Sequence, residues 1–461
     1  MLDAVPECGA EEVGRAVAAA SAAQPAWSRT PPLERAALLR EIAGRVRVEQ
    51  GALALSLTQE TGKPLCEARD CIGAVADMFE RCGARAAFAN GASPANEAAP
   101  GHDATPGHDA ALGTYAGVTA VIAPYSFPLL TMAASAAPAL ASGATLVCKP
   151  PPQNPLTTLV FVRLCDALPA GVINVVTGGA DTAARLIAHP HVSRVSFTGS
   201  SAVACRLQSL AQGKQLDLEI GSLDAFIVCK DADLERAVPA IAWARLMNAG
   251  QTCAAPRHIY VERVIASELA ERMHQCVGFL DVDDPAKLPT DLGPLISLEA
   301  AQRVEDQVGR ALRAGAKLIL GGRRFRPSGL PGHFFQPTIL SDVPARSAPA
   351  SEEILGPVIT LTPVRGLAEA LELSSQAAVP ARAWIYSGDP EEAIRGVQAR
   401  GARTCFINDP GESKAGPFGG LRPGRILAAL DAAPAQSRVV ERMSAVVLPK
   451  PWWFPYLERK S

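Results

Sequence analysis

Residues 117–149 read GVTAVIAPYSFPLLTMAASAAPALASGATLVCK, and their pattern decides the fold. The short apolar run Val118–Ala123 ends at a proline, the segment Leu129–Ala141 has helical length, and the run Thr145–Cys148 is apolar again. A strand, a helix and a second strand in this order predict a parallel βαβ unit, because two parallel strands need a crossover connection between them.

The alternation of strand-like and helix-like segments continues along the chain. Two more β-branched runs, Val172–Val176 and Val192–Phe197, follow helix-like segments at Leu156–Ala167 and Asp181–Ile187. The sequence therefore predicts an α/β fold with a doubly wound sheet. Ligands of such sheets bind at the carboxyl ends of the strands. Functional residues are expected directly after these runs, at Pro124–Phe127, Lys149, Thr198, Gly199 and Ser200.

A second α/β section follows Gly221, and helices are predicted for most of the first eighty or so residues. The predicted strands of the second section are Ala225–Val228, His258–Val261, Lys317–Leu320 and Ile359–Leu361, and its predicted helices are Leu234–Met247 and Ala300–Ala314. A chain of 461 residues exceeds what one hydrophobic core usually supports, so two or three domains are expected.

Composition excludes several classes of function. The formal net charge is -2 and Lys and Arg are scattered, so neither nucleic acid nor a membrane is expected as a partner. No apolar run reaches membrane-spanning length. The eleven cysteines form no C-x-x-C pair, which predicts reduced thiols and a cytoplasmic location. No metal site is predicted, because the repeat PGHDATPGHDA is more typical of a solvated loop than of a metal ligand set.

Two residues are candidates for covalent chemistry. Cys253 lies in MNAGQTCAAP, where Gly250 and small neighbours allow the backbone close to a ligand. A lone cysteine is usually a buried apolar residue, so the thiol needs a context. Attack on a carbonyl by a thiolate requires an oxyanion donor and a base for the later water. Glu219, in LDLEIG at the end of a strand-like stretch, can serve as that base.

The strings LDLEIG and NAGQTC, whose Glu219 and Cys253 are 34 positions apart, resemble the glutamate and cysteine signatures of the aldehyde dehydrogenase superfamily. The resemblance covers nearly the whole chain, through QETGKP, GVTAVIAPYSFPLL, ATLVCKP, VSFTGS, QPTIL, EEILGPV and GPFGG. The string MNAGQTCAAP and the short overall length resemble those of class 3 aldehyde dehydrogenases, which favour apolar or aromatic aldehydes.

The resemblance implies roles for individual residues. Cys253 is the expected nucleophile, Glu219 the general base and Ser126 the oxyanion donor. NADP or NAD is the expected cofactor, and an aldehyde the substrate. The residues expected to contact the cofactor are Lys149 at the adenosine ribose, Thr198, Gly199 and Ser200 at the pyrophosphate, Gly221 after the base, and Glu353 and Leu355 at the nicotinamide ribose.

The resemblance also implies a domain division. Residues 1–88 and 112–220 are expected to bind the dinucleotide, and 221–439 to form the catalytic domain. Residues 89–111 and 440–461 are expected to be bridging segments, including a small oligomerisation hairpin. The predicted assembly is a homodimer or homotetramer.

The sequence departs from the family at several positions. The usual oxyanion donor is an asparagine, whose place is taken by Ser126 in PYSFP. A hydroxyl is shorter than an amide and has one hydrogen to donate instead of two. The usual aromatic residue near the nicotinamide is Leu355, and the second glycine after the base is Ser222. The stretch after GPFGG is contracted to LRPGR, at Arg422.

These departures leave two alternatives open. One is a weakened or non-catalytic homologue that acts as a binding subunit, suggested by Ser126 and the contracted loop. The other is an acylating enzyme that passes the acyl group to coenzyme A, against which Glu219 argues.

Cofactor choice also departs from the NAD pattern, because Pro152 stands where NAD-preferring relatives often carry a glutamate that binds ribose hydroxyls. NADP is therefore expected to be used at least as well as NAD.

Overall fold

The computed structural model describes residues 3–88, 117–220, 225–252, 255–327, 329–344, 352–375, 382–398 and 404–408. The described residues divide into two compact units. The first takes them from Met1–Thr61 and Glu67–Gly221, and the second from Gly62–Cys66 and Ser222–Pro417. Cys253, Gly221, Ser222, Arg422, the predicted hairpin segment and the C-terminal bridging segment all lie outside the described residues.

The first unit is built on a parallel sheet of five strands in the order β3-β2-β1-β4-β5. The strands are β1 (Val118–Ile122), β2 (Thr145–Lys149), β3 (Ile173–Val175), β4 (Val192–Gly199) and β5 (Gln215–Ile220). The helices are α1 (Ala10–Arg29), α2 (Pro32–Val48), α3 (Gln50–Thr61), α4 (Leu65–Phe88), α5 (Pro128–Ala141), α6 (Leu156–Arg163), α7 (Ala180–Ala188) and α8 (Ser201–Leu210). This strand order belongs to doubly wound nucleotide-binding sheets.

Alternation along the strands explains the two helical layers. Val195 and Phe197 of β4 pack in the same apolar cluster as Val13 and Val17 of α1. The residue between them, Ser196, points to the other face and hydrogen-bonds Ser135 of α5 at 2.6 Å. Because successive strand residues face opposite sides, the sheet is covered on both faces, as predicted.

One predicted helix is shorter than expected. The segment predicted to be helical to Ala167 ends at Arg163. The next two amide groups, of Leu164 and Cys165, bond to carbonyls three residues back rather than four. Pro169 follows closely and disfavours helical geometry in the residue before it, so the chain tightens into turns instead.

The second unit contains a mixed sheet of seven strands in the order β12-β11-β6-β7-β10-β9-β8. Its strands are β6 (Ala225–Val228), β7 (His258–Glu262), β8 (Lys317–Leu320), β9 (Thr338–Ser341), β10 (Val358–Val364), β11 (Arg382–Tyr386) and β12 (Thr404–Ile407). Its helices are α9 (Leu234–Leu246), α10 (Ala266–Gly278), α11 (Leu298–Arg313), α12 (Leu367–Ser375) and α13 (Pro390–Gln398). Only β8 runs antiparallel to its neighbour among these described strands.

The described residues contain neither a candidate membrane span nor a candidate metal cluster. No helix in the described ranges is both long and apolar enough to cross a membrane. In the same part of the chain, no group of three or more His, Cys, Asp or Glu side chains is arranged to hold a metal ion.

Candidate active site

The carboxyl ends of the parallel strands in the first unit gather most of its predicted site residues at one edge. Lys149 is the last residue of β2 and pairs in register with Ile122, the last residue of β1. Thr198 on β4 pairs with Glu219 on β5, and Gly199 pairs with Ile220. The predicted base therefore lies, by its backbone, directly beside the predicted pyrophosphate turn.

Lys149 is a buried cation at this edge. Its side chain is almost completely enclosed, and its Nζ donates a hydrogen bond to the Pro150 carbonyl at 3.0 Å. Burial lowers the pKa of Lys149 to about 8, and the carboxylate of Glu7 partly offsets this effect. Burying an ammonium group with few acceptors is unfavourable, so Lys149 suits a polar ligand that supplies further acceptors.

The turn after β4 presents the start of helix α8. The Ser200 hydroxyl caps this helix by accepting a hydrogen bond from the Val203 N–H at 3.4 Å. Among the described residues, its own hydrogen has no acceptor. A Cβ on Gly199 would overlap the ring of Phe197, so any larger residue here would have to displace that ring. A helix N-terminus attracts phosphate through its unpaired N–H groups and its dipole.

These observations test whether the edge fits a dinucleotide. The buried ammonium of Lys149 matches ribose hydroxyls, and the capped N-terminus of α8 matches a pyrophosphate. Both lie at the carboxyl edge of a sheet whose strand order is typical of dinucleotide binding. The residues present therefore fit NAD(P).

The loop Pro124–Phe127 joins β1 to α5 at the same edge. It contains Ser126, whose side chain is buried, with 8% of the residue exposed. The loop is tied to β2 at its start, where the Ala123 N–H donates to the Lys149 carbonyl. At its end, the Phe127 carbonyl accepts hydrogen bonds from the backbone and hydroxyl of Thr131.

In the second unit, a strained turn precedes Cys253. Asn248, Ala249 and Gly250 all have positive φ, at 55°, 52° and 70°. All three are buried, and the Asn248 and Gln251 side chains each bond to the other residue's carbonyl. Residues other than glycine seldom adopt this backbone conformation, and the strain persists only where the surrounding structure enforces it.

The segment carrying Glu353 and Leu355 lies against this turn. The buried guanidinium of Arg245 donates to the carbonyls of Ile354, Gly356 and Val358 at distances of 2.6–3.5 Å. A Cβ on Gly250 would overlap the Gly356 carbonyl oxygen, so the two backbones are in direct contact.

Glu353 itself is held from two sides. Its carboxylate lies 3.4 Å from the Arg257 guanidinium, and its carbonyl accepts a hydrogen bond from Gln307 at 2.9 Å. Leu355 is half-buried. The structure thus brings the predicted nicotinamide-ribose segment next to the turn that leads to the predicted nucleophile.

Sequence reasoning missed several residues that shape these loops. Arg245 and Arg257 gave no signal, because an isolated arginine on a helix or loop is usually solvated. Asn154, which bonds to the Tyr125 carbonyl, also passed unnoticed. Asn248 and Gly250 are residue types that tolerate positive φ, so their presence in NAG was a usable sign of a left-handed turn.

Comparison with known proteins agrees with the fold. A model of the aldehyde dehydrogenase family matches residues 1–425. Over 431 residues the chain is 34% identical to an NADP(+) succinate-semialdehyde dehydrogenase of Escherichia coli (strain K12), covering 91% of this chain and 87% of that protein. It is 33% identical over 432 residues to a glutarate-semialdehyde dehydrogenase of Pseudomonas putida, covering 92% of this chain and 87% of that one.

Solved structures agree as well. A crystal structure of an E. coli NADP-dependent enzyme has a TM-score of 0.81 at 33% identity, covering 89% of this chain and 85% of that chain. A structure of 3,6-anhydro-L-galactose dehydrogenase in complex with NAP has a TM-score of 0.79 at 26% identity, covering 88% of this chain and 85% of that chain. The predicted family, α/β fold and cofactor type, NADP or NAD, are confirmed. The chain belongs to the aldehyde dehydrogenase family and is an NAD(P)-dependent aldehyde dehydrogenase.

Proposed function

We propose that this enzyme oxidises its aldehyde to a carboxylic acid through a covalent thioester on Cys253. The observation that carries the proposal is the buried turn of three left-handed residues, Asn248–Gly250, which ends three positions before that cysteine. Strain of this kind concentrates at functional sites, where it fixes a reacting group in place. The Gly356 backbone lies against Gly250, and Arg245 donates a hydrogen bond to the Gly356 carbonyl. These contacts hold the turn against the segment that carries Glu353.

The reaction begins at the thiolate of Cys253, which adds to the aldehyde carbon and forms a C–S bond. The carbonyl π electrons move to the oxygen, where the Ser126 hydroxyl and backbone N–H groups stabilise the negative charge. Bound NAD(P)+ would supply the hydride acceptor that converts this adduct into a thioester. The Glu219 carboxylate then takes a proton from water as the water oxygen adds, the C–S bond breaks, and the acid leaves.

The first unit is proposed to bind the dinucleotide and the second to carry the nucleophile. Lys149 would hold the adenosine ribose, and Thr198, Gly199 and Ser200 the pyrophosphate. Gly221 would let the cofactor approach closely after the base. Glu353 would hold the nicotinamide ribose, oriented by Arg257, with Leu355 packed beside it.

Cofactor preference follows from the residue three positions after Lys149. Pro152 carries no carboxylate, so it neither accepts hydrogen bonds from ribose hydroxyls nor repels a 2′-phosphate. A hydrogen bond to a charged group contributes about 1.5–3 kcal/mol, so its absence removes a main source of NAD preference. We therefore propose that NADP is used at least as well as NAD.

Two observations point to different classes of aldehyde substrate, and a single assay distinguishes these classes. The MNAGQTCAAP string favours apolar or aromatic aldehydes, whereas the similar enzymes named above act on succinate and glutarate semialdehydes. The assay measures NADPH and NADH formation with succinate semialdehyde, glutarate semialdehyde, lactaldehyde and benzaldehyde, with and without coenzyme A. Cytoplasmic location and a homodimer or homotetramer stay predictions.

The expected result is reduced cofactor without coenzyme A, free acid as product, and no activity in Cys253→Ala despite unchanged NADP affinity. Activity that depends on coenzyme A would establish the acylating alternative. Cofactor binding without any turnover would establish the non-catalytic homologue.

A further inference from the structure

Asn154 joins two loops at the carboxyl edge of the first sheet. It lies in the loop between β2 and α6 and is completely buried, with 0% exposure. Its Nδ2 donates a hydrogen bond to the Tyr125 carbonyl at 2.7 Å. Tyr125 directly precedes Ser126, so this amide fixes the backbone that carries the proposed oxyanion donor.

The loop that carries Asn154 is anchored where it meets the start of α6. The carboxylate of Glu60 accepts hydrogen bonds from the backbone N–H groups of Leu156 and Thr157, at 2.6 and 2.7 Å. The Asn154 N–H also donates to the Pro151 carbonyl at 3.4 Å. The amide of Asn154 therefore extends from a fixed base, which is what a positioning contact requires.

Packing alone does not account for an amide at this position. The Oδ1 of Asn154 is buried and has no hydrogen-bond partner among the described residues. Burying an unpaired amide oxygen is unfavourable, whereas leucine, which has the same branching and the same number of side-chain heavy atoms, would carry no such cost. The function of the side chain therefore resides in its N–H donor, which is bound to Tyr125.

We propose that Asn154 is a positioning residue for aldehyde oxidation, and that its amide keeps the Ser126 hydroxyl directed at the developing oxyanion. The inference rests on the proposed function, in which Ser126 donates to that oxygen. Electrostatic stabilisation of this kind depends on donors fixed before the reaction, so a mobile Ser126 loop weakens it.

The test compares Asn154→Leu with Asn174→Leu. Asn174 is a matched control on β3, because its Nδ2 also binds backbone carbonyls, those of Leu146 at 3.1 Å and Gly171 at 2.7 Å. Loss of a whole oxyanion donor costs about 10²–10³-fold in rate, so loss of its positioning is expected to lower kcat/KM roughly tenfold. NADP affinity in Asn154→Leu, and kcat/KM in Asn174→Leu, should stay within about twofold of the parent enzyme.

A merely structural role is separated by repeating Asn154→Leu in a Ser126→Ala background. If Asn154 acts through Ser126, its substitution has almost no further effect there. A tenfold loss in both backgrounds would overturn the inference, and so would equal behaviour of the Asn154 and Asn174 variants. Amide hydrogen exchange of the peptide containing Tyr125 to Phe127 gives an activity-independent reading, and it should rise in Asn154→Leu only.

A folding failure and an inactive parent enzyme have different consequences. If Asn154→Leu does not fold, Asn154→Thr is measured in both backgrounds, because it keeps a shorter donor and should show the same dependence on Ser126 at about threefold. If the parent enzyme forms no reduced cofactor with any aldehyde, the proposed function fails. An active parent with an unaffected Asn154→Leu overturns only the inference about Asn154.

Discussion

The two units present their functional segments in different ways. In the first, Lys149, Thr198 and Glu219 lie at or next to the ends of parallel strands, in ordinary register. In the second, Cys253 follows a turn in which Asn248, Ala249 and Gly250 adopt left-handed conformations. At the carboxyl ends of the strands, the functional residues are held by the regular hydrogen-bond ladder of the sheet. The turn depends instead on contacts that force an unfavourable backbone conformation.

This difference separates chemistry from stability. Substitutions at the strand edge should change catalysis or cofactor binding and leave the fold intact. Substitutions in the turn should impair catalysis and also destabilise the fold, because a left-handed residue other than glycine already costs about 1–2 kcal/mol. The buried Arg245, whose pKa burial lowers to about 10, holds the other side of the turn and leaves it little room to relax.

The largest effect is expected for Gly250→Ala. A Cβ there would overlap the Gly356 carbonyl oxygen and lie 3.0 Å from that of Arg245. Backbone strain of about 1–2 kcal/mol and overpacking of about 1–3 kcal/mol should both contribute. Gly213→Ala is the control, because Gly213 has φ +74° and nothing within 4 Å of its Cβ. Calorimetry should show a clearly larger loss of Tm, with loss of activity, for Gly250→Ala; equal losses would remove the contrast between turn and edge.

Glu219→Gln should affect turnover and leave Tm unchanged. Hydride transfer precedes hydrolysis, so a burst of reduced cofactor should persist while steady-state turnover falls about 10²-fold or more. Stopped-flow absorbance measures both phases. Disappearance of the burst, with folding and NADP binding intact, would give Glu219 an earlier role such as activation of the thiol.

A smaller effect is expected at Ser126. Removing this short donor in Ser126→Ala should lower kcat/KM about thirtyfold, less than the 10²–10³-fold typical of a fixed amide donor and more than the loss expected when Ser126 is only mispositioned. Ser126→Asn should raise kcat/KM for small aldehydes and lower it for bulky ones, because the amide reaches farther and takes more space. Steady-state kinetics across aldehydes of increasing size measures this. No change in Ser126→Ala would mean that backbone N–H groups hold the oxyanion alone.

The smallest effect is a pH dependence of cofactor binding through Lys149. Its pKa of about 8 means that the ammonium loses its proton as the pH rises above that value. The 2′-phosphate that NADP carries on its adenosine ribose favours the charged form of Lys149, so NADP affinity should fall several-fold at pH values above about 8. Lys149→Met should weaken binding and abolish this dependence. Lys214→Met is the control, because Lys214 bonds backbone carbonyls elsewhere on the unit, and it should keep the parent profile.

Much of the architecture could be predicted from the spacing of apolar residues and from the glycines and prolines that bound each run. The runs at Val118, Thr145 and Val192 are bounded by Gly or Pro, and all three became parallel strands. Two strands of the second section, Ala225–Val228 and Lys317–Leu320, have the predicted bounds. Local pattern suffices for these elements, because each strand buries apolar residues and ends at a residue that breaks strands.

The site could be predicted only where a residue type carries its own signal. Lys149 ends β2 and Ser200 directly follows β4, so their positions relative to the strands were enough to propose them as site residues. Asn154 acts through a bond to Tyr125 that is 29 residues distant in the chain, and Arg245 through carbonyls more than 100 residues away. Such contacts depend on how loops fold back together, which no local pattern records. The conformation of Ala249 was equally hidden, because alanine has no preference for positive φ.

The central claim, a thioester on Cys253, is tested most directly by trapping it. Glu219→Gln is mixed with NADP and the best substrate, quenched in acid, digested and analysed by mass spectrometry. We predict an acyl adduct on the peptide containing Cys253, absent when NADP is omitted, because hydride must leave before a thioester exists. An acyl adduct on any of the other ten cysteines, with none on Cys253, would contradict the account.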